Sequence, residues 1–270
     1  MSDVLVEISD GVALLTLNRP ERRNAFSGAM GRMLGDCYRR FDADDGVRVI
    51  VLTGTAPAFC AGADLSAGRE TFASPTDDNF TASPVEPPAF DLRKPVIAAV
   101  NGHAIGIGLT IAMQADIRIV ADDGKYAIPQ VRRGVVPDAM SHWTVPHAAG
   151  MATAAEILLT GRTFDGREAV RLGLASRCLP AEEVLPAALE IARDIATNVA
   201  PMSAALSKRL LWDTARYGFT PQQVAAYETE LHHRVMGTAD AGEGVRAFLE
   251  RRDPEWVAGV TADWKNLPWQ

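Results

Sequence analysis

The apolar run Pro95-Val-Ile-Ala-Ala-Val100 reads as a buried strand, and the residues after it narrow the fold further. Asn101-Gly-His-Ala-Ile-Gly-Ile-Gly108 is a glycine-punctuated turn, and the apolar segment from about Gly108 reads as a helix. A strand, a tight turn and a helix start in that order bring backbone N–H groups to a helix N-terminus. There they lack intrahelical partners and the helix dipole is positive. Such a corner suits an oxyanion. The spacing Gly102-x-x-x-Gly106-x-Gly108 is not the dinucleotide fingerprint, and no acidic residue stands after a second strand, so a nicotinamide site is excluded.

The rest of the chain fits an α/β protein with right-handed crossovers. Val4–Ser9 and Val12–Asn18 flank Asp10-Gly11, a hairpin signal. Ser27–Phe41 spaces Met30, Met33, Leu34, Cys37 and Phe41 as one helical face. Val47–Thr53 reads as a second buried strand, and Ile117–Ala121 and Lys125–Ala127 as short ones. Residues 66–90 are small, polar and proline-rich (Pro75, Pro84, Pro87, Pro88), which predicts a mobile surface loop or a poorly packed helix. After about residue 145 the pattern predicts helices over Ala152–Leu159, Gly166–Leu172, Ala181–Asn198, Pro201–Tyr217 and Pro221–Met236, with Thr163, Asp165 and Pro180 at helix starts. The chain divides into an α/β core over 1–200 and a helical region over 201–270.

A net charge of −7 argues against nucleic acid or an anionic membrane as the main partner, while local arginines can still serve an anionic ligand. Cys37, Cys60 and Cys178 form no disulfide framework, and no metal-ligand spacing is present. The N-terminus lacks a basic region and a long apolar run, and no apolar stretch reaches membrane-spanning length, so a soluble cytoplasmic protein is expected.

Several segments together resemble the crotonase, or enoyl-CoA hydratase/isomerase, superfamily over almost the entire chain. They are Leu17-Asn-Arg-Pro-Glu-Arg-Arg-Asn-Ala25, Val51-Leu-Thr-Gly54, Phe59-Cys-Ala-Gly-Ala-Asp-Leu65, Lys94–Gly102, Gly134-Val-Val-Pro137, Leu158-Leu-Thr-Gly161, Ala169–Ala175 and Gly244–Arg252. The resemblance implies a crotonase (ClpP-like) fold, a spiral of ββα turns with C-terminal helices used for trimer assembly. A homotrimer or a dimer of trimers follows from it. It also implies acyl-CoA thioester substrates, with coenzyme A as part of the substrate and no further cofactor.

By position, the resemblance places the two oxyanion-hole N–H donors at Ala61 and Ile107, and the CoA contacts at Arg23, Ala25, Ala61, Ala63, Asp64 and Leu65. Ile107 stands where glycine is often found; its N–H survives, but a β-branched residue resists positive φ. Arg22 and Arg23 read equally as a solvated pair. Phe248 and Arg251 resemble the family segment that reaches a neighbouring subunit's nucleotide, or else end an amphipathic helix.

The family's hydratases use two glutamates, and those positions here hold Thr110 and Gln130. Neither is a general acid or base at neutral pH. Gln130 can orient water, and the Thr110 hydroxyl can bond back to its own helix. One carboxylate remains, in Gly134-Val-Val-Pro-Asp138. The segment is similar to that of peroxisomal-type enoyl-CoA isomerases, which carry a catalytic glutamate there. Asp138 is therefore either the proton carrier or the N-cap of a helix beginning at Ala139. His142, four residues on, can share its face and tune it; His103 reads as packing. The expected reaction is an allylic double-bond shift by one carboxylate. Hydration using Asp138 and a water on Gln130, or acyl-CoA binding without catalysis, are the alternatives.

Overall fold

Asp10 (φ 50) and Gly11 (φ 76) turn the chain as the sequence predicts, pairing β1 (Val4–Ser9) antiparallel to β2 (Val12–Leu17) with Ser9 opposite Val12. Positive φ at both central residues matches the twist of the flanking strands. The computed structural model describes residues 2–73 and 80–269; the Pro75 part of the predicted loop lies outside the described residues.

Beyond the hairpin come α1 (Gly28–Asp42), capped by the Ser27 hydroxyl, β3 (Val49–Gly54), β4 (Ala58–Cys60), β5 (Val96–Val100), β6 (His103–Ile105) and α2 (Ile107–Ala112). They continue with β7 (Ile117–Ala121), β8 (Tyr126–Ala127), α3 (Ser141–Thr160), α4 (Gly166–Arg171), β9 (Arg177–Leu179) and α5 (Ala181–Asn198). Three helices follow, α6 (Pro201–Tyr217), α7 (Pro221–Val235) and α8 (Ala239–Glu250).

Two sheets result. The larger has the order β1-β2-β3-β5-β7-β9, parallel after the hairpin, and the smaller is β4-β6-β8, also parallel. After the hairpin, in the pairs β3–β4, β5–β6 and β7–β8 the first strand joins the large sheet and the second the small one, which is the expected spiral. Alternate residues of β3 face different cores. Val49 and Val51 join Ile97, Ala99 and Ile119 against α5, while Ile50 and Leu52 face the main core with Leu34 and Phe41 of α1. The α5 residues Val184, Ala188, Ala192 and Ala196 recur every fourth position, a small-residue stripe that lets the helix lie on the sheet. No helix among the described residues is long and apolar enough to cross a membrane.

The predicted helix over 152–159 is the second half of α3, which bends at Gly150 (φ 77, ψ 161) and carries Pro146 inside it. Helix α8 lies beyond the helices predicted from periodicity, and holds the exposed Phe248. Asp165 caps α4 through Glu168 N–H, as expected.

Side-chain charge ties α6 to the α/β core. Lys208, buried, pairs with Asp116 at 2.8 Å and donates to the carbonyls of Ala89 and Lys94. Asp116 also accepts from Val96 N–H and the Trp212 indole, each at 2.6 Å. Arg209 reaches Phe90 O and Asp213, and Arg216 reaches Asp91. Burial depresses the Lys208 pKa, and Asp116 opposes that. Leu206 and Leu210 of α6, Leu231 of α7 and Leu267 of the C-terminal segment form a small apolar cluster of their own.

Candidate active site

The site begins where α2 rests on β4. A Cβ at Gly108 would stand 2.7 Å from Cys60 Cβ and nearer still to the Cys60 carbonyl, so only glycine permits this approach. Gly106 takes the left-handed φ of the turn (55°), and Ile107 opens the helix without positive φ. The strain expected at a β-branched residue thus falls on the glycine before it. In the first turn, Leu109 and Thr110 N–H bond to Gly106 O, and Ile107 N–H has no acceptor among the described residues.

The second donor departs from expectation. Ala61 N–H donates to Arg23 O at 3.0 Å and is therefore spent, which corrects its assignment to the oxyanion hole. Two residues on, Phe26 bridges Ala63 in parallel: Phe26 N–H bonds Gly62 O at 2.7 Å and Asp64 N–H bonds Phe26 O at 3.1 Å. That pattern turns Ala63 N–H away from Phe26, and it has no acceptor among the described residues. Ala63 and Ile107 line one narrow cavity of about 50 Å³ together with Leu65, Phe72, Gln130 and Asp138.

The 17–25 segment holds this corner in place. Asn24, buried at φ 55, accepts from Arg19 N–H and donates to the carbonyls of Thr55 and Ala58. Arg19 binds Asp64 at 2.8 Å and Ala25 O at 2.6 Å, and Arg22 meets Asp64 at 3.4 Å. Arg19 and the Ser66 N–H hold the Asp64 carboxyl well below the usual carboxylate range. The Asp64 side chain therefore fixes the loop. Of the pair read as solvated or ligand-binding, Arg23 is exposed and has no ion-pair partner among the described residues. Ala25 is half-buried, and Leu65 is exposed at the cavity mouth.

Asp138 is not a helix cap. Ala139 (φ 47) and Met140 (φ 61) are left-handed, α3 starts at Ser141, and the Asp138 contact with that start is its carbonyl, which accepts from Ser141 N–H. Ala139 N–H bonds Ala82 O, and the buried Gln114 donates to Ala139 O, so the corner is braced from two sides. Freed from capping, the half-buried carboxyl faces α2, where Thr110 Oγ1 lies 2.6 Å from its Oδ1. Burial pushes the Asp138 pKa up, while Thr110 and Gln130 hold it down.

Thr110 is fully buried, and its hydroxyl also lies 3.3 Å from Ile107 O. It has one proton to donate, and the closer, charge-assisted acceptor takes it. Gln130 is near enough to act on the Asp138 charge, but neither polar atom of its buried amide has a hydrogen-bond partner among the described residues.

His142 is exposed and does not line this cavity; two left-handed residues break the helical spacing that was to carry it beside Asp138. His103 Nδ1 accepts from Lys125 N–H at 3.0 Å, and His103 does not line the cavity. Burial pushes the Cys60 thiol up to about 12. Missed from sequence were Ala63 as a free donor and Gln114 as a brace. Gln114, one helical turn past Thr110, could have suggested a polar contact beneath the same corner.

An α/β spiral whose cavity is lined by Asp138 and by two residues with no amide acceptor among the described residues matches the crotonase fold. The chain belongs to the enoyl-CoA hydratase/isomerase family, whose profile matches residues 7–259. A crystal structure of a probable enoyl-CoA hydratase/isomerase from Mycobacterium abscessus is 60% identical, with a TM-score of 0.93 over 96% of this chain and 100% of that one. An enoyl-CoA hydratase from Mycobacterium tuberculosis H37Rv is 33% identical, with a TM-score of 0.84 over 94% and 98%. The carnitinyl-CoA dehydratase of Proteus mirabilis is 36% identical over 90% of this chain and 93% of its own.

Proposed function

We propose that this enzyme shifts the double bond of a 3-enoyl-CoA to the 2-position by proton transfer through Asp138. The carboxylate takes a C2 proton, and the C–H electron pair moves into the thioester carbonyl. The resulting dienolate oxygen is held by the N–H groups of Ala63 and Ile107. The dienolate then takes the same proton back at C4, giving the 2-enoyl-CoA with Asp138 ionised again. Nothing is oxidised or reduced, and one base suffices. Two preorganised donors in a recessed site lower the barrier substantially, since losing one such donor typically costs ~3 kcal/mol.

The observation that supports this reading is Asp138 itself, a half-buried carboxyl in the cavity that carries both free donors, with burial favouring the protonated form the shuttle needs. Arg23, Ala25, Asp64 and Leu65 form the proposed CoA side: Leu65 lines the cavity, Arg23 would serve by charge and Asp64 by holding the loop. Exposed apolar side chains on the C-terminal helices, Leu211, Phe248 and Leu249 among them, fit the trimer or dimer of trimers proposed from the resemblance.

The test uses 3-enoyl-CoA and 2-enoyl-CoA panels. Isomerisation should fall by roughly 10²–10⁴-fold in Asp138→Asn, the range of general acid–base contributions. Efficient hydration with no isomerisation would overturn the assignment. That outcome would favour a second reading supported by the unpartnered Gln130 amide, in which Gln130 holds a water that Asp138 activates.

A further inference from the structure

We propose that Thr110 is a positioning residue for Asp138, its hydroxyl holding Oδ1 so that Oδ2 is the single oxygen that meets the substrate. The inference rests on the proton-shuttle reading of the site and adds how the shuttle is aimed.

The geometry has three parts. Thr110 Oγ1 stands 2.6 Å from Oδ1 and 3.3 Å from Ile107 O, and a hydroxyl carries one proton, so the carboxylate receives it. Among the described residues Thr110 is the one side chain within hydrogen-bond distance of the carboxyl, and it meets Oδ1, so the two oxygens are inequivalent; the Gln130 amide and the Asp138 N–H also favour the ionised form. Thr110 is fully buried in the first turn of α2, three residues past the Ile107 donor, so one short helix carries both the donor to the thioester oxygen and the group that orients the base. Their relative placement is then a property of a rigid turn.

The bond serves both protonation states. With Asp138 ionised, it is a charge-assisted bond to Oδ1. With the proton on Oδ2, Oδ1 becomes the carbonyl-like oxygen and still accepts. The hydroxyl therefore never has to turn while the proton waits between C2 and C4. A bond stronger to the ionised form also opposes the burial that raises the Asp138 pKa. The other groups facing this carboxyl are few. From β4 comes the Cys60 thiol, neutral with its pKa pushed up to about 12; from 130–133 come the uncharged Gln130 amide and Arg133 at the rim; from α3 none lines the cavity.

The test compares Thr110→Val and Thr110→Ser by two readouts. The first is carboxyl infrared titration of Asp138 in the free protein, taken as the difference from Asp138→Asn. Thr110→Val should raise the Asp138 pKa by about one unit, the effect of losing one ordinary charge-assisted bond, and Thr110→Ser should restore it. The second is kinetics, where Thr110→Val should lower kcat roughly tenfold to a hundredfold with KM nearly unchanged, and Thr110→Ser should recover most of it. Should Thr110→Val not fold, Thr110→Ala removes the same hydroxyl without an added methyl clash. An Asp138 pKa unmoved in the folded variant overturns the positioning role. Isomerase activity retained in Asp138→Asn overturns the shuttle instead, and leaves the titration result standing.

Discussion

Gly108→Ala sets two forces against each other. Gly108 lies inside α2 with an ordinary helical backbone, so intrinsic propensity alone expects alanine to stabilise by about 1 kcal/mol. The packing predicts the reverse. The new methyl would start 2.7 Å from Cys60 Cβ and closer to the Cys60 carbonyl, whereas ordinary carbon contacts need ~3.5–4.0 Å. The first turn of α2 must back away from β4 by about 1 Å, and overpacking of that kind costs ~1–3 kcal/mol. Backbone is the nearest obstacle, so no rotamer change at Cys60 relieves it. The same displacement carries Ile107 N–H away from Ala63 N–H and pulls Thr110 from Asp138. A misplacement of ~1 Å at reacting groups can cost 10²-fold. The expected result is a lower urea midpoint together with a drop of about 10² in kcat/KM for enoyl-CoA turnover, measured on protein shown to be folded by circular dichroism. A Gly108→Ala variant as stable and as active as the parent would refute the claim that this contact sets the corner.

Two further outcomes are expected at the site. Ile107→Pro deletes only the proposed donor from the backbone, at a first helical position where proline is tolerated, and should fall ~10²–10³-fold in kcat below Ile107→Ala, which keeps the N–H; equal rates would remove Ile107 from the oxyanion hole. Asp138→Asn should be more stable than the parent near pH 7 by urea unfolding. Burial raises the folded-state pKa, so the ionised carboxylate costs stability at neutral pH. That gain should shrink as acidification through the raised pKa makes Asp138 neutral in the folded state, and a pH-independent difference would contradict the assigned cause.

Local chemistry made much of the fold legible. Asp10-Gly11, the two buried strands, and helices α5 and α6 could be read because turn residues and period-specific patterns determine them nearby. The start of α3 could not. Ala139 and Met140 adopt positive φ without being glycine or asparagine, and Gln114 and Ala82 brace Ala139 from distant parts of the chain. Pro146 and Gly150 further disguised the helix. At the site, Asp138 stood out by its chemistry, yet its escape from capping was decided by those same braces. The shift of the free donor from Ala61 to Ala63 follows from the Phe26 bridge, a pairing between residues far apart in sequence. Alanine carries no side-chain signal that distinguishes a used amide from an open one.

Ion clusters hold the chain on either side of the 66–88 segment. At its entry, Arg19 and Arg22 grip Asp64 immediately after the Ala63 amide. At its exit, Lys208, Arg209 and Arg216 of α6 grip Ala89, Phe90 and Asp91. Both anchor points are set by residues outside the segment. A third hold lies between them: Ala82 O accepts from Ala139 N–H, so the backbone there helps set the corner that carries Asp138. The side chains of Leu65 and Phe72 can change the cavity wall, but a change in the backbone path at Ala82 would move the carboxyl proposed to carry the proton.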